Sequence, residues 1–133
     1  MAILWSEKLS VGVKEIDDQH KKFIEIMNEM YAAINISDKQ KIKELLKKLT
    51  EYAELHFATE EKYFDLFKYE NSDEHKQLHK EMIVKVLEFE NRYETEELNI
   101  LLELLDFLEN WLTDHLENQD QKYVQCFHDN GLE

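Results

Sequence analysis

Apolar residues recur along this chain at the three-to-four-residue interval of a helix that buries one face, and no period-two run is long enough to make a strand. Four such stretches are separated by short polar breaks, which predicts four helices. The first begins between Val13 and Asp17 and runs to about Asn35, with Ile16, His20, Phe23, Ile24, Met27, Tyr31 and Ile34 on one face. The second starts at Ser37, which stands three residues before Gln40 in the spacing of a capping box. Its inward stripe is Ile42, Leu45, Leu46, Leu49, Ala53, His56, Phe57, Glu60 and Phe64. After a break at Tyr69 to Asp73, where Asn71 and Ser72 can cap, the third helix carries His75, His79, Met82, Val86, Phe89 and Tyr93. The fourth opens at Thr95, because Glu96 and Glu97 in a first turn complement the helix dipole. It carries Leu98, Leu101, Leu105, Leu108, Leu112, His115 and Gln119.

Breaks this short make successive helices antiparallel neighbours. The expected fold is all-α: an up-down-up-down four-helix bundle over residues 13–128, preceded by an extended N-terminal arm at 1–12, with 1–133 as one domain. Composition agrees, since 43% hydrophobic residues, 35% charged residues and no Pro suit long helices with a solvated face. Thirty acidic against sixteen basic residues leave a net charge of −14, which repels nucleic-acid phosphates and anionic lipid. Neither nucleic acid nor a membrane is expected as a partner. The single Cys126 excludes an internal disulfide, the N-terminus has no basic stretch before its short apolar run, and no segment approaches a membrane span. A cytoplasmic protein is the expectation. Cys126 is read as a small, partly buried side chain, and His128, beyond the last apolar position, as a surface residue.

The antiparallel order brings one set of helix ends together. His20 lies near the start of the first helix, His56 toward the end of the second, His75 and His79 near the start of the third and His115 toward the end of the fourth. Five of the six histidines thus share one level of the bundle, and burying several imidazoles is costly unless something engages their lone pairs. Glu60 follows His56 by one turn, and His79 follows His75 in the same way, so each pair addresses one region. His115 and Asp120 are five residues apart, which on a regular helix turns the second side chain by about 140° from the first. If Asp120 joins the group, the helix must depart from α geometry between Leu116 and Gln119, as a π-bulge would allow.

Seven candidate ligands are too many for one tetrahedral zinc and lack the HExxH spacing of a metalloprotease. Two metals fit better, and imidazole with carboxylate suits iron, although the donor set also admits manganese or zinc. If both carboxylates and a solvent oxygen bridge the pair, three imidazoles saturate one ion and two leave the other an open position. An odd histidine count therefore implies a vacancy.

These residues resemble the hemerythrins, particularly their single-domain bacterial form. The resemblance rests on His56-Phe57 followed by Glu60, the H-x3-H of His75 and His79, the H-x4-D of His115 and Asp120, the D-D-x-H ending at His20, and W-S-x-x-L-S-V-G-V from Trp5 to Val13. It implies two bridged iron ions, with His75, His79 and His115 on the saturated one, His20 and His56 on the open one, and Glu60 and Asp120 bridging. It further implies reversible dioxygen binding at the open iron for storage or delivery to an oxygen-consuming enzyme, in a dry pocket walled by Phe23, Phe57, Trp111 and Leu116. The protein is then expected not to be an enzyme. Two other functions compete: oxygen or redox sensing through a partner, and oxygen activation of the ferritin-like kind. The second is disfavoured because no Glu stands three residues before any histidine.

Overall fold

The computed structural model describes residues 3–133, with the side chains at 94–100 outside the described set. Helix α1 spans Lys14–Asn35, α2 spans Lys39–Phe67, and α3 is helical through Ser72–Asp114. A π-helical turn at His115–Gln119 and a 3-10 turn at Asp120–Tyr123 lead into a short α4, Val124–Asp129. The described residues contain no strand, and no helix among them is long and apolar enough to cross a membrane.

A straight α3 would hold His75 and His115 about 60 Å apart. Their Nε2 atoms lie 3.1 Å apart, the rings of Phe89 and Phe107 are 6.0 Å apart, and Arg92 meets Glu103 at 3.6 Å. The chain therefore reverses between Arg92 and Glu103, and α3 contributes two antiparallel arms to a bundle of four. The side chains at the expected start of the fourth helix, Thr95, Glu96, Glu97 and Leu98, lie outside the described set.

The apolar stripes meet in the bundle interior. Every residue assigned to the second stripe is buried, as are Met82, Val86 and Phe89 of the outgoing arm of α3 and Leu101, Leu105, Leu108 and Leu112 of the returning arm. On α1 the buried face is wider than the stripe, taking in Ile26, Met30 and Ala33, while Tyr31 and Ile34 pack at its margin. Leu104 is fully buried on the returning arm. A second apolar cluster closes the opposite side of the histidine layer, built from Val11, Val13, Ile16, Phe64, Tyr69, Tyr123 and Phe127.

The junction of α1 and α2 departs from the expected cap. Ser37 has a left-handed φ of 54°, its N–H bonds to Ile34, and the N–H of Asp38 reaches back to Ala33. Those two bonds form a Schellman closure that ends α1. Ser37 is thereby used as a helix stop, and Asp38 is the residue that caps α2, its carboxylate accepting from the Lys41 N–H at 3.1 Å.

The N-terminal arm is fastened along its length. Ile3 exchanges two main-chain bonds with the Asn28 side-chain amide, while Asp17 accepts from the Ser10 hydroxyl at 2.6 Å and the Val11 N–H at 2.8 Å. Gly12 sits at φ 68°, and a Cβ there would stand 2.9 Å from the His128 ring, whose Nε2 is 3.0 Å from the Gly12 carbonyl. His128 is exposed and Cys126 is half-buried.

Candidate metal centre

The structure brings all seven candidate residues together between the two apolar clusters, each no more than 4% exposed. The i, i+4 spacing on α2 sets Glu60 beside His56, with Oε1 and Nε2 3.4 Å apart, and the same carboxylate oxygen lies 3.1 Å from His79 Nε2. Asp120 faces it from the other side. One oxygen is 2.9 Å from both His75 Nε2 and His115 Nε2, and the second is 3.2 Å from His20 Nε2.

Asp120 reaches this position through the π turn. Its N–H bonds to the His115 carbonyl, so five residues complete one turn and the side chain lies over His115 rather than about 140° away. The helix departs from α geometry where the five-residue spacing demanded it.

Hydrogen bonds and stacking fix the rings. His56 Nδ1 is 2.7 Å from the Gln19 amide oxygen, and Gln19 donates in turn to the Thr59 hydroxyl at 3.1 Å. His79 Nδ1 is 3.0 Å from a Glu61 carboxylate oxygen. Both partners are acceptors, so in the neutral ring the proton sits on Nδ1 and Nε2 is the nitrogen turned inward, able to bind a cation in place of a second proton. Phe57 stacks on His79 with ring centres 3.8 Å apart, and Trp111 stacks on His115 at 4.2 Å.

Burial and charge pull the titratable groups in different directions. Burial drives the His56 pKa down to about 3, so that ring is neutral. Burial acts the same way on His79, but the neighbouring carboxylates of Glu60 and Glu61 prevail and raise it to about 9. In Glu60, burial and the neighbouring Asp120 favour the acid form, yet His56 and His79 bring the pKa down to about 2. Asp120 is held well below the usual carboxylate range: burial opposes ionisation, but His115, His20 and His75 outweigh it. Tyr123, fully buried with its hydroxyl unpaired, is pushed well above its ordinary value by burial and by the charges of Asp120 and Glu60.

Both nitrogens of His20, the inward nitrogens of His56 and His79, and all four carboxylate oxygens of Glu60 and Asp120 are buried without a hydrogen bond. A buried polar atom left unpaired costs on the order of 1–3 kcal/mol, more for an ion, so this convergence of nitrogen and oxygen lone pairs suits a cation. The atoms sort into two overlapping groups, each with its donors within 4.8 Å of one another: Glu60, His75, His79, His115 and Asp120, and His20, His56, Glu60 and Asp120. The two carboxylates belong to both.

A cavity of about 10 Å³, room for one water-sized molecule, abuts the cluster. All four expected wall residues, Phe23, Phe57, Trp111 and Leu116, line it, joined by Ala53 and Leu112. Among the described residues its lining carries polar groups only on the rings of His20, His56, His115 and Trp111. Sequence reasoning missed Ala53 and Leu112 as wall residues although both lie on apolar stripes. It also missed Gln19 and Glu61, whose one signal is adjacency to His20 and Glu60, and Tyr123, which follows Asp120 by one 3-10 turn.

Four antiparallel helices that converge five imidazoles and two carboxylates on a buried layer define a helical-bundle protein built around a group of side chains able to hold a metal ion. Residues 11–127 match the family described as the hemerythrin HHE cation binding domain. The chain belongs to the hemerythrin family. It is 33% identical over 124 residues to a bacteriohemerythrin of Pseudomonas aeruginosa, covering 93% of this chain and 80% of that one. A bacteriohemerythrin of Clostridium acetobutylicum is 30% identical over 126 residues, covering 91% and 98%. The crystal structure of a wild-type hemerythrin superposes with a TM-score of 0.87 at 22% identity, covering 95% of this chain and 98% of that one.

Proposed function

We propose that this chain carries two iron ions and binds dioxygen reversibly, storing it or delivering it to an oxygen-consuming enzyme in the cytoplasm. His75, His79 and His115 would hold one ion, His20 and His56 the other, and Glu60 and Asp120 both. Bound iron would supply the electrons and the open coordination position that reversible dioxygen binding requires. The observation that carries the reading is the asymmetry of the cluster: two donor groups share two carboxylates but hold three and two histidines, and the cavity reaches both members of the smaller set.

The chain's own residues meet the remaining requirements. Phe23, Phe57, Trp111 and Leu116 keep water and proton donors from the cavity, which favours release of the ligand unchanged. Gln19 and Glu61 orient the rings of His56 and His79, and the low pKa values of Glu60 and Asp120 keep two negative charges available to balance the cations. The names of the bacterial relatives support the same reading.

The test is anaerobic reconstitution with ferrous iron, exposure to oxygen, then vacuum. Two irons per chain and a colour change that reverses under vacuum are expected. An irreversible change, or steady turnover of an added substrate, refutes the carrier reading.

A further inference from the structure

The π turn that aims Asp120 inward has to be held against relaxation to a regular helix. Where the π turn passes into the 3-10 turn the ordinary helical ladder is interrupted, and a carbonyl at such a junction needs another donor. At this junction the side-chain amide of Gln121 donates to the Leu116 carbonyl at 3.1 Å and to the Ser10 carbonyl at 2.9 Å. Two carbonyl oxygens from segments more than a hundred residues apart in sequence are thus joined by one NH2 group. Both neighbours are acceptors, so the amide nitrogen faces them; no other orientation of the side chain satisfies either.

Each end of this clamp is itself anchored. Ser10 is tied to α1 through its hydroxyl bond to Asp17, one turn before His20, and Leu116 is 1% exposed in the wall of the cavity. Gln121 directly follows Asp120, whose carboxylate touches His20, His75 and His115. The clamp therefore ties the N-terminal arm, the cavity wall and the shared carboxylate into one body.

We infer that Gln121 is a positioning residue for the metal centre: by donating to both Ser10 and Leu116 it locks the π turn and so holds the Asp120 carboxylate against His20, His75 and His115, where it belongs to both donor groups. The inference rests on the reading of the cluster as a metal site. Gln121 touches no candidate ligand atom and acts only through the backbone.

The test compares the rate at which iron passes to a ferrous chelator from the loaded wild type and from Gln121→Met, Gln121→Glu, Gln121→Lys and Ala33→Gly. Gln121→Met removes the donor at nearly constant volume, Gln121→Glu presents oxygen to both carbonyls, and Gln121→Lys restores a donor. Ala33→Gly loosens α1 about 20 Å from His20 without touching the cluster. Release at least about tenfold faster in the Met and Glu variants, and near the wild-type rate in the Lys variant, is expected. If Gln121→Met does not fold, the Glu and Lys pair carries the comparison. Wild-type rates in both donor-free variants, equal acceleration in the Lys variant, or equal acceleration by Ala33→Gly at a matched loss of metal-free melting temperature would each overturn the inference. A wild type that binds no iron would instead overturn the reading of the site itself.

Discussion

Stripped of metal, the protein should be most stable near pH 6.5 and weaken on either side, because two histidines of one cluster are perturbed in opposite senses. Burial holds folded His56 at about 3 against an ordinary 6.5, so between those values the unfolded chain binds a proton that the folded chain refuses. Stability then falls as the pH drops below 6.5. His79 is opposed by burial but raised to about 9 by Glu60 and Glu61, so its stabilising proton is fully present below 6.5 and is lost as the pH climbs through 9. One proton of difference changes stability by about 1.4 kcal/mol per pH unit. Moving from pH 6.5 to pH 5 or to pH 8 should therefore cost about 2 kcal/mol in either direction, a fall of about 8 °C in melting temperature for a chain of this size. Bound metal competes with protons for the inward nitrogens, so the loaded protein should lose the alkaline decline and be at least as stable at pH 8 as at 6.5. Scanning calorimetry at pH 5, 6.5 and 8, at constant salt with and without chelator, reads both curves. A metal-free protein equally stable at pH 6.5 and 8 would refute the account of His79, and one equally stable at 5 and 6.5 the account of His56.

Three substitutions separate the site from its scaffold. Glu60→Gln replaces a carboxylate common to both donor groups by a neutral amide and should lower bound iron from the proposed two per chain to one or fewer, as read by elemental analysis. Leu116→Ala, at a side chain 1% exposed, should destabilise the fold by about 3 kcal/mol in urea titrations and, by opening the dry cavity to water, shorten the lifetime of the oxygenated form measured optically. Asp38→Ala removes the α2 cap and should cost about 1 kcal/mol while leaving metal content unchanged.

The bundle was legible because the apolar stripes and the short breaks leave little freedom once the helices are antiparallel. The convergence of the seven polar residues was legible for the same reason, since Glu60 and His79 follow from i, i+4 spacing. The five-residue step from His115 to Asp120 announced its own irregularity, because a uniform helix would have turned Asp120 away. Other features depended on tertiary contact. Ser37 and Asp38 are both sound caps by residue type, and the choice between them is made by the closing bonds of α1, which put Ser37 at positive φ. Tyr123 and Phe127 lie past the last clear stripe, where the π and 3-10 turns have shifted the helical phase, so periodicity could not show that both are fully buried. Gln19 and Glu61 are charged or amide residues on a solvated flank, alike in sequence to many that face water, and only the fold sets them against His56 and His79.

The contact between His20 and Asp120, 3.2 Å apart in space, also sets a limit on when the site can exist. Protein chains are made from the N-terminus, and domains generally fold as units once their parts are available. While Asp120 is still unmade, a growing chain can offer His20, His56, Glu60, His75 and His79, and then His115, but not the second shared carboxylate. A metal captured at that stage would sit in an incomplete and wetter donor set. On the proposed reading, stable loading thus waits for Asp120, the last of the candidate ligands to be made.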